Sequence, residues 1–207
     1  IGVFIANHNG DTGMRYWDFP RWKRELASLK QMGANTIWFI PFQFGQRKPE
    51  DFLFESAHWQ LQRNICQEIV DLGMDVGIYS TLNDIFEATI EEHPDWKAEN
   101  GVLFLEEGCA CPSHPESWKE IMRLRDKVFS ELPRIDYLMT PATDNGGCCC
   151  KRCEDWPVVY LKAYKEEAEL CRKYHPNLKV VAASHALSLD RNERVEEILK
   201  SSDWVDY

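Results

Sequence analysis

Apolar, β-rich segments alternate with amphipathic helical segments five times along the chain. The strand-like segments lie at 2–7, 35–42, 74–82, 135–142 and 179–183. Helical spacing of apolar residues follows them, as in Trp22, Leu26 and Leu29. Strands that alternate with helices are typical of a parallel α/β fold. A last apolar run at 204–207 predicts the opening of a sixth strand.

Capping residues place the starts of the helices. Asp18, followed by Pro20, predicts the first helix start, and Ser56 predicts the second. Ser113 and Glu116 have the spacing of a capping box before a third long helix. Between the third strand and that helix, 83–112 forms a long insertion, and loops of this length inside a domain are usually functional.

Two parallel folds fit this pattern, and the strand ends distinguish them. The turn after the first strand, 6–13, lacks the GxGxxG spacing of a doubly wound nucleotide fold. A barrel instead places polar residues after several strands, all at one mouth. Such residues follow all five strands: His8 and Asn9, Gln43, Asn83 and Asp84, Asp144 and Asn145, and Ser184 and His185.

We therefore predict an α/β fold of the (β/α)8 TIM barrel type, incomplete in this chain. A complete barrel needs about 250 residues, whereas residues 1–207 supply five βα units and a sixth strand as one partial barrel domain. The sequence begins with Ile1 rather than Met, and it ends at Tyr207 inside an apolar run. We therefore expect the protein to continue beyond both ends. We also expect the chain to need the remainder of its barrel or a homo-oligomeric partner, because an unclosed sheet exposes pairing edges.

Composition narrows the partners. The net charge of −10 disfavours nucleic acid, which would be repelled. No apolar stretch is long enough for a bilayer, so we predict no membrane partner. A signal-peptide pattern is absent too, but because the sequence begins without Met, this absence says nothing about export. We expect a cytoplasmic location, with a secreted or periplasmic one as the alternative.

The eight cysteines suggest a metal site. Cys66 and Cys171 fall on inward helix faces, and the other six lie in two loops. A C-x-C-x-x-C spacing lets three thiolates converge on one ion, and the earlier loop can supply the fourth ligand of tetrahedral zinc. The predicted zinc ligands are Cys111, Cys148, Cys150 and Cys153. Disulfides in an exported protein and reactive thiols are the alternatives.

These cysteine segments also carry a resemblance. The stretches Cys111-Pro-Ser-His-Pro-Glu116 and Asp144-Asn-Gly-Gly-Cys-Cys-Cys-Lys-Arg-Cys153, with Trp156 nearby, are similar to a group of bacterial barrel proteins. That group resembles glycoside hydrolases of the β-N-acetylhexosaminidase and α-glucuronidase type. The resemblance implies a sugar pocket at the carboxyl ends of the strands, with an acid after the fourth strand at Asp144. Asn145 stands where the hexosaminidase type has a second acid, which argues against substrate-assisted cleavage.

Glycoside hydrolysis usually needs two carboxyl groups. We predict Asp144 as the catalytic one, and the second as Asp84 or, preferably, a residue of strands beyond this chain. The predicted substrate-binding residues are His8, Asn9, Asn83, Asp84, Asn145, His185, Trp96 and Trp156. Trp38 is predicted as core, and His93 and His114 as turn residues.

The sequence therefore predicts a glycoside hydrolase that acts on an oligo- or polysaccharide and carries a structural zinc but no catalytic cofactor. The alternative is a non-catalytic carbohydrate-binding or scaffold barrel, which Asn145 favours. A hydrolase with an open catalytic zinc is disfavoured, because the cysteine spacing includes no histidine or carboxylate ligand.

Overall fold

A computed structural model describes residues 2–5, 17–41, 44, 48–99, 109–141, 147–183 and 189–207. Its sheet has five parallel strands, and every neighbouring pair is consecutive in sequence. The strands are β1 Gly2–Ile5, β2 Thr36–Phe39, β3 Asp75–Tyr79, β4 Tyr137–Pro141 and β5 Lys179–Ala183.

The strand order decides between the two parallel folds. Crossovers between parallel strands are almost always right-handed, so strands added in one direction keep their helices on one face of the sheet. A doubly wound sheet reverses its strand order to place helices on both faces. The order β1-β2-β3-β4-β5 contains no reversal, so the described sheet has the arrangement of a partial barrel.

The helices begin mostly where the capping residues predict. They are α1 Phe19–Gln31, α2 Ala57–Asp71, α3 Glu87–Glu92, α4 Pro115–Glu131, α5 Trp156–Tyr174 and α6 Leu189–Leu199. The Asp18 carboxylate accepts a hydrogen bond from the Arg21 amide at 2.9 Å, and the Ser56 hydroxyl accepts one from the Trp59 amide at 3.1 Å. Both predicted caps are confirmed.

The predicted capping box at Ser113 is wrong by one residue. His114 is the N-cap of α4, and its ring accepts from the Ser117 amide. The Ser113 hydroxyl instead accepts a hydrogen bond from the Cys153 thiol at 3.3 Å. The Ser113 side chain, which the local sequence predicts as a helix cap, is thus bonded to a residue of a distant loop instead.

The two faces of the sheet differ in burial. Side chains that point toward the helices, such as Ile37, Ile78 and Leu138, are fully buried. On the opposite face Trp38 and Tyr137 are half-buried, with ring centroids 5.7 Å apart. The helix side therefore forms the core of the described chain, and Trp38 belongs to the second, barrel-facing layer.

The run 204–207 is not a regular strand, but its backbone pairs with the β5 edge. The Tyr207 amide donates to the Val180 carbonyl at 3.2 Å, and the Ala182 amide donates to the Tyr207 carbonyl at 3.0 Å. This is the hydrogen-bond pattern of a parallel neighbour. Among the described helices, none has the length and apolar character needed to cross a membrane.

Candidate functional site

Four buried cysteines meet beside the carboxyl ends of β3 and β4. The sulfur atoms of Cys111, Cys148, Cys150 and Cys153 all lie within 4.8 Å of one another. The Cys111 Sγ is 3.6 Å from both the Cys150 and the Cys153 Sγ. Tetrahedral zinc with bonds of about 2.3 Å would separate its sulfurs by about 3.8 Å, whereas a disulfide needs about 2.05 Å. The cluster therefore has the geometry to hold a metal ion, and its cysteines are free thiols in the structure.

Local backbone geometry brings three of these thiols together. Gly147 precedes them with φ 100°, a left-handed conformation that glycine adopts without steric cost. A 3₁₀ turn, Lys151–Cys153, follows, in which the Cys153 amide donates to the Cys150 carbonyl at 2.8 Å. This turn folds the C-x-x-C segment back on itself.

The fourth thiol comes from the insertion. Two antiparallel bridges, Asp84 with Cys109 and Lys97 with Ala110, fold its described parts together. The Cys111 amide donates to the Trp96 carbonyl at 2.7 Å, and the Ser117 hydroxyl donates to the Cys111 carbonyl at 2.6 Å. Cys111 is thus fixed from both sides before any metal binds.

Asn83 joins the two cysteine segments. Its amide nitrogen donates to the Ala110 carbonyl at 2.8 Å and to the Gly147 carbonyl at 3.2 Å, and its oxygen accepts from the Gly147 amide at 3.0 Å. The residue is fully buried. These hydrogen bonds align the two cysteine loops, so the position of Asn83 gives no support to its predicted substrate contact, which stays a prediction.

The proximity of the thiols changes their acidity. Hydrogen bonds from the Cys148 and Cys153 thiols lower the pKa of Cys111. The hydrogen bond to Cys111 in turn raises the pKa of Cys153. A hydrogen bond to Cys111 raises the pKa of Arg152, whose positive charge therefore lies beside the cluster. A first thiolate at Cys111 would attract a cation, whose charge would then favour ionisation of the other thiols.

The remaining cysteines have different surroundings. Burial raises the pKa of Cys66 to about 12 and raises that of Cys171 as well. These two are core residues, as predicted. Cys109 is also buried, whereas Cys149 is exposed.

Several predicted sugar-site residues lie outside the described residues, namely His8, Asn9, Asp144, Asn145 and His185. The residues that flank the Asp144 segment are described, and both are anchored. Thr140 donates from its hydroxyl to Glu167 at 2.9 Å, and its carbonyl accepts from the Tyr160 hydroxyl at 2.6 Å. On the other side, Gly147 is held by Asn83.

Three further predicted site residues are described. The Asp84 carboxylate is buried and accepts from the Phe44 amide at 2.6 Å, so it is engaged within the protein. Trp96 is half-buried and stacks on His93 at 4.1 Å. Trp156 is only 1% exposed. It opens α5 with its ring packed in the core, a position that gives no support to its predicted sugar-stacking role. His93 and His114 lie at helix boundaries, as expected of turn residues.

Sequence reasoning missed a buried ion pair behind the strand ends. The Arg125 Nε is 3.0 Å from the Glu167 carboxylate, and both side chains are at most 1% exposed. Glu167 also accepts from the Ser80 hydroxyl at 2.7 Å and from the Thr140 hydroxyl at 2.9 Å. It therefore links the ends of β3 and β4. The signal was available, since Glu167 falls on the apolar stripe of α5 beside Ala168.

The fold and site together define a class: a parallel α/β unit of barrel type, with a four-cysteine cluster between two loops at the strand ends. No protein-family model matches the chain, and no curated protein matches it. Solved structures do match it, at low sequence identity.

All three of the following similarities are at the level of the fold. A β-galactosidase from the Antarctic haloarchaeon Halorubrum lacusprofundi is 14% identical with a TM-score of 0.63, over 93% of this chain and 38% of its own. The α-L-fucosidase isoenzyme 2 from Paenibacillus thiaminolyticus is 15% identical with a TM-score of 0.59, over 95% and 34%. An α-galactosidase from Lactobacillus brevis is 14% identical with a TM-score of 0.58, over 87% and 26%. The chain thus spans between about a quarter and two fifths of the length of these neighbours, which are glycoside hydrolases. Its fold is consistent with part of their TIM-barrel type domains.

Proposed function

We propose that this chain is part of a glycoside hydrolase that binds an oligo- or polysaccharide at the carboxyl ends of its strands. The observation that carries the proposal is the sequential parallel order β1 to β5, because it directs the loops after all five strands to one rim. The fold likeness to galactosidases and a fucosidase supports the same class of reaction. The sugar and the linkage stay open in this proposal.

Asp144 is the proposed catalytic carboxylate, acting as a general acid or an orienting base. Its segment is five residues from 142 to 146 between two anchored positions, Thr140–Pro141 and Gly147. Such anchoring would limit the positions that the carboxylate can reach. His8, Asn9, Asn145 and His185 are proposed to bind sugar hydroxyls, and Trp96 to stack on a sugar ring. The second carboxylate is proposed to come from strands beyond this chain, because Asp84 is buried and engaged.

The four-cysteine cluster is proposed to bind one structural Zn²⁺. The sulfur separations of 3.6 Å support this assignment. Zinc held by four thiolates has no open coordination position, so it would contribute no chemistry to hydrolysis. Its proposed role is to pin the loop after β4, which contains Asp144, to the insertion after β3.

Replacing the proposed carboxylate tests the enzymatic role. In the full-length protein, Asp144→Asn should lower hydrolysis of an active glycan by about 10²–10⁴-fold while sugar binding persists. Asp95→Asn is the matched control, because Asp95 is an exposed carboxylate of the insertion, 72% accessible. Equal activity of Asp144→Asn and the native protein would refute the catalytic assignment.

The non-catalytic alternative makes a different prediction. Asn145 occupies the place of a second acid, so a barrel that only binds carbohydrate is the competing function. Such a protein would bind glycans on a panel and hydrolyse none of them, with or without Asp144.

Metal analysis tests the zinc assignment independently. About one zinc per chain is expected, with loss of the metal in Cys150→Ser or Cys153→Ser and retention in Cys149→Ser. A metal-free chain with intact free thiols after purification in zinc-containing medium would contradict the assignment.

A further inference from the structure

A groove lies between α4 and α5, on the helix side of the sheet, and its lining includes none of the residues proposed to bind or cleave the substrate. Its volume is about 410 Å³, within the range of about 300–1,000 Å³ typical of small-ligand sites. The residues that matter for its chemistry are Pro115, Trp118, Arg152, Val158, Lys162 and Glu166. Because Arg152 lies between two proposed zinc ligands, the groove adjoins the cysteine cluster from outside.

One wall of the groove is rigid and apolar. Trp118 is half-buried, and its indole N–H donates to the Glu166 carboxylate at 2.6 Å, which fixes the ring between the two helices. Val158 is a large apolar side chain on the surface, 42% exposed, and Pro115 is an exposed residue of the same lining. Flat apolar walls with a fixed indole suit the C–H face of a pyranose ring.

The charges in the groove run against those of the whole chain. The net charge is −10, yet Arg152 and Lys162 are two exposed cations facing one groove. The only acid in this lining, Glu166, already accepts the indole hydrogen bond. Within the described residues Lys162 has no ion-pair partner, and the five donors of Arg152 can serve both the cluster and a ligand.

We propose that this groove is a second saccharide-binding site, which takes a sugar unit that carries a carboxylate or a sulfate. The ring would lie against Trp118, and the anionic group would reach Lys162 and Arg152 through charge-assisted hydrogen bonds. The choice of a saccharide rests on the proposed function, whereas the lining of the groove shares no residue with the proposed substrate-binding or catalytic set.

The test is calorimetric titration of the full-length protein in the Asp144→Asn background, which limits turnover. The probes are digalacturonate, a monosulfated galactose disaccharide, neutral galactobiose and inorganic phosphate. We expect at least one acidic disaccharide to bind at least tenfold more tightly than galactobiose. The carboxylated and sulfated probes then identify which anionic group the groove prefers.

Two lysines of α5 provide a matched comparison. Lys162→Ala should weaken binding of the acidic disaccharide at least tenfold, while Lys165→Ala, three residues along the same helix, should leave it unchanged. Trp118→Ala should abolish binding, and Lys162→Ala keeps the proposal testable because it leaves the packing of the indole intact.

The proposed rim site still binds sugar in Asp144→Asn, so only the binding that depends on Lys162 is assigned to the groove. Three outcomes would overturn the proposal: no Lys162-dependent binding of either acidic disaccharide, equal binding by Lys162→Ala, or Lys162-dependent binding of galactobiose or phosphate that is equally tight. Hydrolysis by the native protein is measured separately on a glycan panel. Groove binding without hydrolysis would remove the enzymatic proposal and leave this one standing, and hydrolysis without groove binding would do the reverse.

Discussion

Gly77 in β3 should be intolerant of even one added methyl group. A Cβ built at this position would lie 2.4 Å, 2.6 Å and 2.8 Å from three atoms of the Trp38 indole. Ordinary carbon contacts are about 3.5–4.0 Å, so the ring would have to move by about 1 Å. Its retreat is limited, because Tyr137 packs on it at 5.7 Å between centroids.

Two opposing effects set the size of the change. Gly77 does not have a positive φ, so alanine can adopt its backbone conformation. By restricting the unfolded chain, alanine would then raise the free energy of unfolding by about 0.4–1 kcal/mol. Overpacking of this kind costs about 1–3 kcal/mol. The steric effect is larger, and we expect Gly77→Ala to lower the free energy of unfolding by about 1–2 kcal/mol. That loss corresponds to a fall in Tm of about 2–8 °C for a domain of this size.

A double-mutant cycle in urea checks the stated cause. Trp38→Leu removes the ring, so adding Gly77→Ala to Trp38→Leu should cost little, with a coupling free energy of about 1 kcal/mol or more. If Gly77→Ala is as stable as the native protein, or if its cost is the same without the indole, the packing argument for the barrel-facing layer is wrong.

Four other predictions follow from the described contacts. Glu167→Ala should lower the free energy of unfolding in urea by about 3–5 kcal/mol, because it leaves the Arg125 charge buried without its partner. A smaller decrease for Glu167→Ala than for Glu167→Gln would contradict this prediction. Asn83→Ala should weaken zinc binding by about 10–100-fold in a competition assay with a chromophoric chelator, and an unchanged affinity would show that the hydrogen bonds to both loops are dispensable. In thiol labelling followed by mass spectrometry, only Cys149, the exposed cysteine, should react rapidly. The four cluster thiols should react only after a chelator removes the metal, and their rapid labelling in the presence of zinc would count against a bound metal. Burial lowers the pKa of His175 below its ordinary 6.5, so as the pH falls the unfolded state takes up the proton first and the free energy of unfolding should decrease below about pH 6.5. His175→Gln should reduce this loss of stability in melts measured at several pH values. An identical pH profile for the variant and the native protein would refute the prediction.

Much of the fold could be predicted, because its signals are local. Asp18 and Ser56 cap helices through hydrogen bonds to amides three residues away, and such contacts depend little on the rest of the chain. Three of the cluster cysteines were predicted from their spacing, because a C-x-C-x-x-C turn limits where three thiols can point, whereas Cys111 required the earlier loop to fold toward them. Ser113 failed for the opposite reason, since its partner is the Cys153 thiol from another loop.

The surroundings of the predicted site residues could not be derived from the sequence, because burial depends on neighbours that are remote in sequence. Trp156 sits in a segment that looks like a surface loop but is buried as the first residue of α5. Asn83 follows a strand as a substrate-binding residue would, yet its partners are 27 and 64 residues away. Position after a strand shows which rim a residue occupies, and only its packed neighbours decide whether its polar atoms remain available.

The sequence by itself determined the alternation of strands and helices, two helix caps and the convergence of three thiols, since each follows from periodicity or short-range geometry. Tertiary structure alone decided three other features: the approach of Cys111 to the other three thiols, the pairing of Arg125 with Glu167, and the clamp formed by Asn83. These depend on distances between segments far apart in the chain, which local propensities do not fix.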